Sequence, residues 1–134
     1  MQVTILEPGI HVEITSFGYL HDPAPEADLI ADLRAHFRDP HVSPNMRFMT
    51  ADDQPVVDAV LGTSGIRQLV SGLVTVATAM GAGPGNSSVT LAIGCAGGRH
   101  RAPVVARTVA AELSSGGFCV TTIHRDLHKP VVLR

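Results

Sequence analysis

The stretch Gly94-Cys95-Ala96-Gly97-Gly98-Arg99-His100-Arg101-Ala102-Pro103 sets a cysteine six positions before an arginine, the spacing of cysteine-dependent phosphatases. In that chemistry a thiolate attacks phosphorus while the arginine forks onto the phosphoryl oxygens. A thiol beside arginines at the start of a helix would be partly ionised at neutral pH. The same backbone also serves a chemistry without reaction. Glycines let successive amides turn outward and cradle an anion at a helix start, and Arg101 adds a planar fork of donors. A third reading is a glycine turn that only joins a strand to a helix, with Cys95 a small buried residue closing the strand. For Cys95 that third reading is preferred. Ala102 stands where those phosphatases carry Ser or Thr to assist the leaving thiolate, and the candidate acids Asp126 and His124 sit in no recognisable acid loop.

Elements must hold this loop in place. Ser88 to Gly94 is β-branched and apolar, which predicts a strand ending at Cys95. From Ala102 to Leu113 the positions Val104, Val105, Thr108, Val109 and Glu112 fit an amphipathic helix, with Pro103 in its first turn and Gly116-Gly117 ending it. Phe118 to Asp126 reads as a further strand. Strand, helix, strand is a βαβ unit, whose strands are expected to be parallel neighbours joined by a right-handed crossover. Ligands of such sheets bind beyond the carboxyl ends of the strands, where both the Cys95–Arg101 loop and His124-Arg125-Asp126 fall. Upstream, a strand is expected to reach Ser16-Phe17-Gly18 after a turn at Pro8-Gly9. Gln54 to Leu61 and Ile66 to Met80 look helical, and Gly81 to Ser88 is a break. Leu29 to Arg34 is ambiguous, because Leu29, Leu33 and Phe37 recur at helical spacing while Leu29 to Leu33 suits a short buried strand. Arg38 to Pro55 has no sustained period and reads as an ordered loop of functional length, with His41, Arg47 and Thr50 as candidates.

At 134 residues the chain suits one domain with one core. It has no Trp and one Tyr, so stacking platforms for single-stranded nucleic acid are scarce. The net charge of −2 hides an asymmetry. From Cys95 onward six basic residues face two acidic ones, so that end is positive and the remainder negative, which suits a small anion better than a long polyanion. The two cysteines form no C-x-x-C pair, and a Cys95–Cys119 disulfide is rejected because the two lie at opposite ends of their strands. The scattered histidines lack zinc-ligand spacing. The sole lysine, Lys129, follows no glycine-rich loop, so a Walker A site is absent. No signal peptide or long apolar span is evident, which points to a soluble cytoplasmic protein without a membrane partner.

Taken together, Ile93-Gly94-Cys95-Ala96-Gly97-Gly98-Arg99-His100-Arg101, His124-Arg125-Asp126 and Ser16-Phe17-Gly18 resemble the C-terminal domain of the RNase adapter protein RapZ family, whose members are also called nucleotide-binding proteins. The likeness runs from about Ser16 to Lys129 and includes Ala27-Asp28, Asp32-x-Arg34, Pro40-His41 and Arg47-x-x-Thr50. It implies an α/β fold, a single domain over 1–134 with its core at about 12–129. A mainly parallel central sheet with flanking helices would resemble a phosphofructokinase subdomain. The chain looks like a free-standing version, without the P-loop domain that precedes this one in full-length members. The resemblance makes Leu29 to Arg34 a strand. It implies a phosphosugar sensor or regulatory adapter, binding an anion such as glucosamine-6-phosphate at the 95–101 loop without metal or cofactor. The ligand residues carried over are Asp32, His41, Ala96, Gly97, Gly98, His100 and Arg101, with Ser16, Arg34, Arg47, Thr50, His124 and Arg125 in support. Contact with a small RNA and self-association or a protein partner are implied too.

Several positions depart from that pattern. Ala96 replaces the family's usual Thr, Ala102 its Ser and Ala51 its Gly, and the basic tail is reduced to His128-Lys129-Pro130-Val131-Val132-Leu133-Arg134, which weakens the RNA expectation. The alternatives are a phosphatase using Cys95, Arg101 and Asp126, and an RNA-binding or RNase-adapter module. An enzyme is the less favoured reading. If Arg101 serves an anion, its loss is expected to weaken binding and leave the fold intact.

Overall fold

The computed structural model describes residues 10–85 and 88–134, so the expected turn at Pro8-Gly9 and part of the break before Ser88 lie outside the described residues. Four strands, β1 (His11–Gly18), β2 (Leu29–Asp32), β3 (Val89–Cys95) and β4 (Cys119–His124), form one all-parallel sheet in the order β2-β3-β1-β4. Among the described residues three helices accompany it, α1 (Gln54–Leu61), α2 (Ile66–Gly81) and α3 (Arg101–Ser115), with a 3-10 turn at Pro40–Val42. The fold is thus a single α/β domain. No described helix is by itself long and apolar enough to cross a membrane.

Strand alternation decides which face is buried. On β1, Val12, Ile14 and Ser16 are buried between half-buried His11, Glu13 and Thr15. Val89, Leu91, Ile93 and Cys95 of β3 join Val12 and Ile14 in the core. Above them lie the apolar stripes of the helices: Ile66, Val70, Leu73 and Ala77 of α2, and Ala102, Val105, Ala106, Val109 and Leu113 of α3. Burying these rows supplies the main driving force, at about 1.5–3 kcal/mol for each large aliphatic side chain.

Leu29 to Asp32 is a strand, not a helix. Leu29 and Ala31 pack on the core while Ile30 and Asp32 point away, and Leu29 pairs with Leu91 and Asp32 with Gly94. The Asp28 carboxylate extends the ladder, accepting from Thr90 N while Asp28 N donates to Thr90 Oγ1, both at 2.8 Å. Tertiary pairing overrides the helical spacing of Leu29, Leu33 and Phe37.

The expectation that β3 and β4 are neighbours is wrong. They are parallel, but β1 lies between them, pairing Gly18 with Cys95 on one side and Ser16 with His124 on the other. Cys119 therefore sits opposite His11 and Cys95 opposite Gly18, at the two ends of β1, roughly 23 Å apart along the strand at about 3.3 Å per residue. Both cysteines are free.

Candidate functional site

β3 delivers Cys95 to the carboxyl edge of the sheet, and six residues later α3 begins at Arg101, where the side chain of the N-cap residue His100 makes no capping bond. The glycines between serve packing first. Gly98 has φ +75°, and a Cβ there would stand 2.7 Å from Gly18 N and 2.9 Å from Asp126 Cβ. A Cβ on Gly18 would stand 2.4 Å from the carbonyl carbon of Gly97. The loop is pressed against the end of β1, and only glycine fits at this contact. Among the described residues, the amides of Gly97, Gly98, Arg99 and His100 donate no hydrogen bond.

The loop forms one wall of a recess lined by Asp39, His41, Cys95, Gly97, Arg99 and His100. The opposite wall is the 3-10 turn, whose start is fixed by Asp39 Oδ1 accepting from His41 N at 3.0 Å. Val131, Val132 and Arg134 fold back as a roof, leaving only about 10 Å³ of free volume. The Arg134 guanidinium pairs with Asp39 and passes 3.5 Å from where a Cβ on Gly97 would lie.

Asp39 is the electrostatic centre of the recess. Arg101 Nη2 lies 3.0 Å from Oδ2 and His100 Nδ1 3.9 Å from Oδ1. Burial pushes this carboxyl up, but His100, the His41 amide, Arg101 and Arg134 together hold it well below the usual carboxylate range. His41 is buried, and burial first, then the Arg134 charge, lowers its pKa, so it is neutral at neutral pH. His100 Nε2 lies 2.9 Å from the Met49 carbonyl, which only accepts, so that nitrogen carries the proton. Arg99 reaches across the recess, donating to the carbonyls of Lys129 at 3.0 Å and Phe48 at 2.7 Å. The Nε–H groups of Arg99 and Arg101 are buried and have no partner among the described residues.

Of the residues singled out as ligands, His41, Gly97 and His100 line this recess. Gly98 and Ala96 support it from the loop, Ala96 by accepting from Leu20 N. Arg47 braces it, with Nε donating to the His41 carbonyl at 3.0 Å. Arg101 is placed differently from expectation. It is only 2% exposed, and its Nη1 donates to the carbonyls of Leu33 (3.1 Å), Phe37 (2.9 Å) and Arg34 (3.4 Å), so it ties the chain after β2 to α3. The expectation that the fold survives its removal is therefore corrected. Asp32 does not line the recess; its carboxylate is gripped by Arg34 at 2.7 and 3.0 Å, and Arg34 stacks on Tyr19.

Other candidates lie apart. Ser16 Oγ and His124 Nδ1 are hydrogen-bonded at 2.6 Å under the β1–β4 pair. Thr50 belongs to the entry of α1, where its Oγ1 accepts from Asp52 N. Arg125 clamps the 18–23 turn through the Pro23, Asp22 and Gly18 carbonyls. Asp126, fully buried, accepts from Gly18 N at 2.7 Å and pairs with Arg125 at 2.9 Å and Lys129 at 2.6 Å. Burial raises its pKa, but Arg125, Lys129 and the Gly18 amide outweigh it, so Asp126 is ionised at neutral pH. Cys95 Sγ accepts from Ala102 N at 3.4 Å on the recess floor.

The residues missed from sequence are Asp39, Arg99 and Arg134. Asp39 carried a signal, an acidic residue directly before Pro40-His41 that fits a turn cap; Arg134 carried none. The basic excess after Cys95 is also largely spent within the chain: Arg99, Arg101, Arg107, Arg125, Lys129 and Arg134 each bond a carbonyl or carboxylate. Among the described residues no group of three or more His, Cys, Asp or Glu is placed to hold a metal.

Curated relatives include a nucleotide-binding protein of Thermobifida fusca, 36% identical over 124 residues that make up 90% of this chain and 42% of the relative. Nucleotide-binding protein STH186 of Symbiobacterium thermophilum is 33% identical over 92% of this chain and 41% of its own length. A further one from Rhodospirillum centenum, nucleotide-binding protein RC1_2868, is 36% identical over 92% of this chain and 38% of its own. The chain thus spans about two fifths of the relatives it matches. The family model described as the RapZ C-terminal domain matches residues 10–128, which takes in every described strand and helix, and the chain belongs to that family.

Proposed function

We propose that the domain binds a phosphorylated small molecule, of the hexosamine phosphate class, in the recess between the glycine loop and the 3-10 turn. The observation that carries this is a set of uncommitted donors on residues that line one cavity: the amides of Gly97, Arg99 and His100 and the Nε–H group of Arg99. Buried donors without partners are costly, and a phosphate accepts several at once. In this reading the tail swings out to admit the ligand and recloses over it, and Arg134 turns from Asp39 to the phosphate. Asp39, rather than Asp32, takes the sugar amine or hydroxyl, and neutral His41 is free to accept or donate. The relatives are named for nucleotides, and a nucleotide phosphate would draw on the same donors, so it belongs among the ligands tested.

The phosphatase alternative has less support. Asp126 is ionised and paired with Arg125 and Lys129, so it holds no proton to give a leaving group. Cys95→Ser is expected to leave anion binding unchanged, and the wild type to show no turnover of an aryl phosphate. RNA binding as an adapter is also supported less, because the basic side chains of the C-terminal end are occupied internally.

Calorimetry with glucosamine-6-phosphate, fructose-6-phosphate, inorganic phosphate and adenosine monophosphate tests the proposal. Heat is expected with the amino sugar phosphate, in excess of that with phosphate alone. Silence with every phosphosugar and with phosphate to millimolar concentrations refutes it. A gel shift with structured RNA, expected to be negative at moderate salt, separates the adapter reading.

A further inference from the structure

The segment joining β2 to α1 has two sides. Asp39 and His41 turn toward the glycine loop, whereas Arg38 and Pro40 turn the other way, into a cleft of about 450 Å³ against the end of α1 and the link from α1 to α2. This is many times the free volume of the recess and falls in the range of small-molecule sites, about 300–1,000 Å³. Pro40, Met46 and Ala59 make its apolar surface. Around them stand His36 and Arg38 from one wall and Ser43, Thr63 and Ser64 as hydroxyls, with no carboxylate in the lining. Among the described residues Arg38 makes no ion pair or hydrogen bond, and the side chains of His36, Ser43 and Ser64 make none either. In a chain of net charge −2, a cleft whose only ionisable lining groups are basic selects for anions.

The wall is held open by packing that owes nothing to a ligand. Gly65 has φ +89°, and a Cβ there would approach Phe37 Cε1 to 3.2 Å, so the Phe37 ring is set against the start of α2. His41, buried on the other side of the segment, anchors it toward the sheet.

We propose that this cleft is a second binding site, taking a small organic anion that joins one phosphate to an apolar body of about purine size. The apolar part lies on Pro40, Met46 and Ala59, and the phosphate meets Arg38, His36 and the hydroxyls of Ser43 and Ser64. This site shares no lining residue with the recess and does not depend on the proposal made for it.

Adenosine monophosphate is the probe, with adenosine and inorganic phosphate as controls, titrated against the 15N-labelled chain. The monophosphate is expected to shift the amides of Ser43, Met46, Gly62, Thr63 and Ser64, and to bind at least about tenfold more tightly than either control. Arg38→Glu removes a side chain that bonds nothing, so the fold is retained and the affinity drops about tenfold or more. Ala59→Leu fills the cleft and abolishes those shifts, while Arg134→Ala leaves them unchanged. The proposal is overturned if shifts are confined to residues 96–101, if adenosine binds as tightly as its monophosphate, if both cleft variants bind like wild type, or if no cleft amide moves at 10 mM probe, a concentration above about millimolar affinity.

Discussion

Replacing Arg101 by Ala is expected to cost the fold far more than it costs a ligand. The guanidinium is 97–98% buried, spans the carbonyls of Leu33, Arg34 and Phe37, and neutralises Asp39. Truncation leaves an ionised carboxylate and three carbonyls short of a donor. Breaking a buried pair from one side costs about 3–5 kcal/mol. Asp39 keeps Arg134 and its side chain stays 20% exposed, which places the loss near the lower end, at about 3 kcal/mol. For a domain of this size that is a fall in Tm of about 10 °C. Calorimetric melts at pH 7 of wild type, Arg101→Ala and Arg101→Lys are the assay, with lysine intermediate because it keeps charge and loses the fork. A pH series adds a second reading. The folded pKa of Asp39 is depressed, so its stabilisation is present above the unfolded carboxyl value near 4 and is lost as pH falls toward the folded one. That acid loss should be shallower in Arg101→Ala. A variant melting within about 2 °C of wild type would refute the structural assignment of Arg101.

Arg134→Ala should lower Tm by no more than a few degrees, since its pair is partly exposed, yet weaken glucosamine-6-phosphate binding about fivefold in calorimetry. Unchanged affinity would remove Arg134 from the proposed site. Stability should fall between pH 7 and pH 5, because burial depresses the folded pKa values of His41 and His124 and the unfolded chain takes up protons there; His41→Asn with His124→Asn should flatten that slope in denaturant titrations. Gly98→Ala is expected to unfold the loop contact and cost several kcal/mol, because its φ is positive and its Cβ would strike Gly18 N, an effect read from soluble yield and urea midpoint. A melt matching wild type would show that the loop can separate from β1 without loss.

The helices were legible because their apolar spacing and their glycine and proline boundaries agree with the packing they meet. Ile66, Val70, Leu73 and Ala77 repeat at three and four residues and face one core. β2 was ambiguous because four residues carry too little period to separate helix from strand, and only pairing with β3 decides. Strand order was misjudged for the same reason: nothing local in Val89–Cys95 or Cys119–His124 tells that β1 intervenes. In the candidate site, the glycine loop stands out by residue type and spacing, whereas His41 is one loop candidate among several until the family resemblance singles it out. The task of Arg101 could not, because its partners are backbone carbonyls, which leave no trace in side-chain identity. Arg134 was hidden because tail placement depends on tertiary packing alone.

The central position of β1 sets an order of events for the chain as it is made. Both partners of β1 arrive late: Val12 waits for Val89 and His11 for Cys119, and the Ser16–His124 hydrogen bond closes across 108 residues. Until then β1 has two open edges and an apolar face, a state that other chains can pair with. Closing such long loops is slow compared with forming a helix, so α1 and α2 can be formed while the sheet is still absent. A stalled or shortened product ending before β4 would leave one edge of the sheet's inner strand bare. Translation past His124 is therefore the point at which this domain changes from an aggregation hazard into a folded protein, and a chain released before it should be cleared by proteases rather than accumulate.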